Sequence, residues 1–221
     1  MLTSSQIVSL ANQISKTQGF TSQAGQFLNL ILQNLAMDFD FDVNRSTTTI
    51  NTFAGTPSYS LPADWIRTRE VFYNIGGEIF MPNQITLQEY DSLFAGPGSN
   101  DYPYSYATDP STSTIYFYPF PVVNIPVTLR YMKLPTDISA PESSSAVPWF
   151  PDQDTLVHLL ATRMMKIADD SRLNDFEKIA EDMLRKFKIM VNDPENMSKT
   201  VSLDRRQFRV TAGLKPTKRQ P

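Results

Sequence analysis

The stretch PWFPDQDTLVHLLATRMMKIADDSRLNDFEKIAEDMLRKFK, residues 148–188, holds two amphipathic runs separated by a polar break. In the first, Leu156, Leu159, Leu160, Met164 and Ile167 recur at helical spacing, and Asp152 stands where an N-cap belongs. A helix of that length spans about 25 Å at 1.5 Å per residue. DDSRLN (169–174) interrupts the pattern. Asn174 and Glu177 then sit at capping-box spacing, although such a box usually opens with Ser or Thr. The second run aligns Phe176, Ile179, Ala180, Met183, Leu184, Phe187 and Met190 in one stripe. Its outer face offers Glu181–Arg185 and Asp182–Lys186 as i,i+4 pairs, each worth a few tenths of a kcal/mol. Asn192-Asp193-Pro194 reads as the stop, because proline cannot donate to a helical carbonyl.

Two helices with one apolar face each need partners, and the N-terminus supplies them. Ile7, Leu10, Ala11 and Ile14 follow the candidate caps Thr3 and Ser4, and Gly19 ends that run. A second helix starts near Thr21 or Ser22 and carries Phe27, Leu30, Ile31 and Leu35 on one side. Joined by a short turn, the two read as an antiparallel hairpin. The middle of the chain changes period. TTTINTF (47–53) is rich in β-branched residues, and TPSYSLP (56–62) alternates before a proline. TREVFYNI and EIFMP flank Gly76-Gly77, a pair suited to the positive φ angles of a tight hairpin. ITLQEYDSLF (85–94) reads as a short helix capped by Thr86. SYA, STIYFY and VTLRYMK read as further strands, the last with Val127, Leu129 and Tyr131 on one face.

The expected fold is therefore α+β: a four-helix bundle drawn from both chain ends, an inserted and mostly antiparallel β domain, and an extended C-terminal arm. The boundaries are 1–45 for the helical hairpin, 46–135 for the β domain and 136–151 for a Pro- and Ser-rich linker. Residues 152–193 give the C-terminal helices, and 194–221 the basic arm.

At 221 residues, 41% hydrophobic and 19% charged, the chain can bury a sizeable core. With no cysteine, disulfide frameworks and thiolate metal sites are excluded. The N-terminus lacks the pattern of a secretion signal, and no window reaches the ~18 apolar residues of a membrane span. A cytosol-like place of synthesis is the expectation. Charge is uneven. From Met197 onward seven bases and one acid give +6, so the formal −3 of the whole chain leaves −9 for residues 1–196. A basic arm on an acidic body binds either nucleic acid or an acidic protein surface, and charge alone does not choose.

Chemistry has no evident seat. The one histidine, His158, lies inside the apolar run TLVHLLATRMM, where a packed structural or interface role fits better than general-base work. DFDFDVN (38–44) resembles the start of a calcium loop, but Val43 and Thr49 stand where that loop needs glycine and glutamate. Phe39 and Phe41 suit a buried edge with solvated carboxylates between them. The glycine pairs fit no phosphate-binding pattern, and no G-x-S-x-G elbow occurs. No catalytic residue, cofactor or metal is expected. Tyr102, Tyr104, Tyr106, Tyr116, Phe117, Tyr118, Phe120, Trp149 and Phe150 cluster within fifty residues, with only Arg130 and Lys133 among them. A base-stacking platform would want more cations, so core filling and a protein–protein surface read better.

The order of parts resembles the head-to-tail adaptor proteins (connector-ring, tail-tubular A-like) of tailed bacteriophages. The resemblance is carried by the helical pair, SYSLPADWIRTREVFY (58–73), STIYFYPFP (113–121), the segment at 148–188 and a final arm. It implies a structural, non-enzymatic subunit of a homo-oligomeric, dodecameric ring in the virion at the capsid–tail junction, made in the host bacterial cytoplasm. It further implies contacts with the portal protein and with the tail nozzle or tube, the β domain facing the tail. DNA would pass through the channel without sequence-specific binding, and no membrane is involved. The arm would dock on the portal through Leu203, Arg205, Arg206, Phe208 and Arg209. The alternative from composition is a nucleic-acid-binding accessory protein using the basic tail and the aromatic sheet.

Overall fold

Traced along the chain, the computed structural model opens with α1 (Ser4–Ser15) and α2 (Thr21–Asp38). Next come β1 (Arg45–Asn51), β2 (Ser58–Ser60), β3 (Trp65–Ile75), β4 (Glu78–Phe80), β5 (Asn83–Gln84) and α3 (Leu87–Phe94). After these follow β6 (Asn100–Asp101), β7 (Ser105–Asp109), β8 (Thr114–Tyr118), β9 (Phe120–Pro121) and β10 (Pro126–Lys133). The chain closes with α4 (Gln153–Ala168) and α5 (Leu173–Thr200). The structure describes residues 1–94 and 100–200, with side chains described up to Ile189. Among these residues no helix is long and apolar enough to cross a membrane.

The helices begin where polar side chains satisfy their free amides. Thr3 accepts from the Gln6 amide while the Gln6 side chain returns to the Thr3 amide, a capping box for α1. Thr86 and Glu89 do the same for α3. Asp152 accepts from the Thr155 amide at 3.2 Å and opens α4. The start of α5 differs from expectation. Asp170, not Asn174, holds it, accepting from the Arg172 amide at 2.9 Å and from its guanidinium at 2.6 Å. Asn174 lies one residue inside the helix, and Glu177 reaches across to Lys166 of α4 at 2.6 Å. That cross-helix pair takes the carboxylate a capping box would have used. On the outer face Arg185 pairs with Asp182 at i,i+3, 3.0 Å, in place of the two expected i,i+4 pairs. Nor does Pro194 stop the helix. It runs on to Thr200, so the first residues assigned to the arm are helical. A proline inside costs one rung, the bond its missing N–H would have made to Met190.

One apolar cluster joins α1, α2, α4 and α5. α4 lies among the other three and so buries a wide face: Leu156, Val157, Leu160, Ala161, Met164 and Met165. Ile167, expected on that face, is exposed, and Leu159 is only partly covered. α5 packs mainly against α4, which leaves Ile179 and Ile189 exposed while Ala180 and Phe187 are buried. Phe41 sits at the hub of an aromatic group, 5.4 Å from Trp149, 5.4 Å from Phe150 and 5.6 Å from Phe187. The residues flanked by aspartates are thus a buried edge, as their spacing suggested.

Segment 136–151, read as a linker, is strapped onto the helices. Asn29 donates to the Ile138 carbonyl and accepts from its amide, at 3.0 and 3.1 Å. The Ser4 amide donates to the Ala146 carbonyl, and Gln33 reaches Asp137. The segment passes close over α2 at Gly25, where a Cβ would stand 3.3 Å from the Glu142 amide nitrogen and from the Pro141 ring and would displace the Glu142 carboxylate.

The strands form two four-stranded sheets, β1-β10-β3-β4 and β2-β8-β7-β5, plus the pair β6-β9. All pairings are antiparallel except β5 with β7 and β6 with β9. The second apolar cluster holds Val71, Tyr73, Ile115, Phe117, Val127, Leu129 and Tyr131, the last three on one face of β10 as their alternation required. Gly76 and Gly77 take φ of +61° and +95° in the β3–β4 hairpin, which side chains bearing Cβ would resist.

Candidate assembly surfaces

The groups that sequence reasoning weighed for chemistry are occupied by structure. Asp40 stands 2.8 Å from Arg67 and 2.8 Å from Arg69 on β3. Arg67 also donates to the Met37 carbonyl at the end of α2. Asp42 pairs with Arg45 at 2.9 Å. Asp40 and the Arg67 bond fasten the end of α2 to the first sheet, while Asp42–Arg45 is a local pair at the start of β1. His158 stacks on Phe176, centroids 6.0 Å apart, with its Nε2 3.9 Å from Asp154 and its buried Nδ1 without a hydrogen-bond partner among the described residues. Among the described residues no three His, Cys, Asp or Glu side chains gather as metal ligands would.

The aromatic run divides by face. Tyr106 and Phe117 are core, and burial raises the Tyr106 phenol above its ordinary value. Tyr73 is raised likewise, chiefly by burial with a smaller push from Asp101, and its hydroxyl donates to the Pro103 carbonyl at 2.7 Å. Tyr90 packs on Tyr116 at 5.2 Å, and its burial pushes the phenol up to about 12. Only Tyr102 and Tyr104 remain well exposed. A base-stacking platform is not what this arrangement offers.

Two exposed features remain. Between α2, α4 and α5 runs a groove of about 460 Å³, floored by Ile31, Leu35, Leu159 and Leu184 and rimmed by Asp38, Arg163 and Glu181. On the β side, apolar residues stand in solvent where the sheets end: Phe53 is 59% exposed, Ile79 63% and Phe94 50%. The expected arm residues Leu203, Arg205, Arg206, Phe208 and Arg209 lie outside the described residues.

Sequence reading missed how charge is sorted in this region. Residues 71–129 contain no lysine or arginine and five acids, Glu78, Glu89, Asp91, Asp101 and Asp109. A running count of bases along the chain would have revealed it. An unbroken acidic stretch of this length repels phosphate, since nucleic-acid affinity is built from lysine and arginine contacts.

With most aromatics buried, the exposed apolar side chains at the helices and on the sheets are the surfaces left open for contact. Comparison with curated proteins finds no match. The model of one family, described as SU10 adaptor protein, matches residues 4–206, and so takes in both the helices and the sheets. It agrees with the resemblance drawn from the order of parts. The chain belongs to the SU10 adaptor protein family, a structural family of bacteriophage adaptors.

Proposed function

We propose that this chain is a subunit of a homo-oligomeric, twelve-fold ring that joins the portal protein to the tail nozzle or tube. The observation that carries this reading is the family match over 4–206, which spans every described element from α1 to α5. In this reading residues 1–45 and 152–193 act together as a four-helix bundle on the portal side, and 46–135 form the β domain facing the tail. Exposed apolar side chains on both parts supply the two surfaces an adaptor requires. The ring encloses part of the DNA channel. An acidic body suits that task, because a wall that makes few phosphate contacts lets DNA slide. The basic arm docks on the portal, with Leu203 and Phe208 as apolar anchors and Arg205, Arg206 and Arg209 donating to acidic or carbonyl-rich surface. Its chain entropy is lost only on docking, which favours wrapping a partner.

Electron microscopy of the purified chain mixed with portal-bearing capsids tests this. Ring density at a single vertex is expected, and its loss on deleting 202–221 would assign docking to the arm. Unchanged binding of the truncated chain sinks the arm assignment. Density at no vertex, together with a salt-sensitive shift of free single-stranded DNA, would favour a nucleic-acid-binding role instead.

A further inference from the structure

We propose that the end of the β region farthest from the helices is a docking surface for a protein that presents basic side chains around an apolar patch. The proposal rests on the adaptor reading and adds the chemistry of the tail-side partner. It follows from the register of the first sheet. Along the β1–β10 pair Arg45 with Met132 is the row nearest the helices and Asn51 with Pro126 the farthest, and Arg67 of β3 stands opposite Met132. Arg45, Arg67 and Arg130 fall in the first three rows, Arg69 in the irregularity between Thr68 and Glu70, and Lys133 opposite Trp65 at the same end. These are the only bases between positions 45 and 133. Cation is therefore confined to the helix end of the strands.

The far end is built differently. Loop 52–56 is held against loop 121–125 by hydrogen bonds from Gly55 N–H to the Pro121 carbonyl, 2.8 Å, and from Ala54 N–H to Asn124 Oδ1, 3.2 Å. This brings exposed Phe53, Val122 and Val123 together. Ile79 lies opposite Asn74, one row before the Ile75–Glu78 end of the β3–β4 pair, and Phe94 packs on Phe120 at 5.6 Å, one residue before Pro121. Glu78 closes the β3–β4 pair, Asp101 lies opposite Pro121 in the β6–β9 pair, and Asp91 sits on α3 three residues before Phe94. Apolar side chains standing in water, flanked by charges of one sign, mark an interaction site. Complementarity selects the partner. Nucleic acid is repelled, a second copy of the same surface would set acid against acid, and a basic surface is attracted.

The experiment is site-specific photo-crosslinking in assembled virions, with p-benzoylphenylalanine replacing Phe53 or Val122. The expected result is an adduct to a different virion protein, at a peptide whose surroundings are rich in lysine or arginine. Adducts only to a second copy of this chain, or to its own residues 201–221, would overturn the proposal. So would no adduct in virions whose vertex still carries the ring, an outcome that leaves the adaptor reading standing. Absence of the chain from the vertex would overturn both. As a second measurement, the pair Glu78→Lys and Asp101→Lys should slow tail attachment to ring-bearing heads about tenfold at low salt. An unchanged rate would refute the electrostatic part.

Discussion

The helical region and the β region are assembled from opposite kinds of sequence. α1 and α4 pack together although about 140 residues separate them, so the helical core cannot form until both chain ends are present. The strands between Arg45 and Lys133 are contiguous, and their cluster draws on that segment alone. Among the described residues none of the four long helices packs extensively along a strand. The regions meet through the connecting segments, the Asp40 contacts with Arg67 and Arg69, and the Arg67 hydrogen bond to the Met37 carbonyl. Two cores with so narrow a junction are expected to respond separately to damage.

Each core carries one of the two tryptophans, Trp149 in the helical cluster and Trp65 beside the β cluster, so fluorescence can read them apart. The largest effect is expected for Phe150→Ala. This side chain is fully buried and touches Phe41, Trp149 and Phe187, so its removal should cost about 3–5 kcal/mol. In denaturant, with Trp65→Phe as background, the Trp149 transition should move to a much lower midpoint. With Trp149→Phe as background, the Trp65 transition should move little. Phe117→Ala should produce the mirror image, since Phe117 is fully buried in the other cluster. Equal shifts of both reporters in either variant would show that the junction couples the regions, and the comparison would fail.

The two regions also differed in how far their sequences could be read. The helices announce themselves through period and caps, and Thr3, Thr86 and Asp152 act as their positions suggested. What could not be read was the geometry between elements. Glu177 looked like a cap because Lys166 on another helix was invisible to local spacing. Ile167 and Ile179 belong to apolar stripes wider than the face their neighbours cover, and local period does not state where cover ends. In the β region the strands, the Gly76-Gly77 turn and the inward face of β10 were legible. The sorting of charge toward one end needed the register, which pairs Arg45 with Met132 and Met132 with Arg67.

Segment 136–151 sharpens the contrast at intermediate magnitude. It was read as a linker because Pro and Ser dominate it, yet Asn29 grips both backbone groups of Ile138. Asn29→Ala leaves the Ile138 amide and carbonyl without these partners in a part-buried place, at a cost of about 1–3 kcal/mol. Hydrogen exchange at the Ile138 amide should accelerate, and the Trp149 transition should fall while that of Trp65 holds. If the exchange rate does not change, the strap is a resting contact and the segment a linker after all.

The smallest effect concerns pH, and it lies wholly in the helical region. Hydrogen bonds from the Arg172 guanidinium and amide hold the Asp170 carboxyl down to about 2, below its ordinary value of 3.8. A carboxyl whose pKa is lower folded than unfolded favours the folded state above the unfolded value, and that contribution disappears as pH falls through the folded one. The stabilisation should therefore be complete at neutral pH, decline below about pH 4 and be gone near pH 2. Arg172 also donates to the Ile14 carbonyl at 3.2 Å, so the lost pair loosens the end of α1 against the start of α5. Asp170→Asn removes the titration and keeps the side chain's size. Denaturant midpoints for the two proteins should differ at pH 7 and converge toward pH 2, in the Trp149 signal and not in the Trp65 signal. A gap that stays constant with pH would assign the effect of the substitution to the lost helix start and not to the charge, because only the ionised carboxylate gains from Arg172.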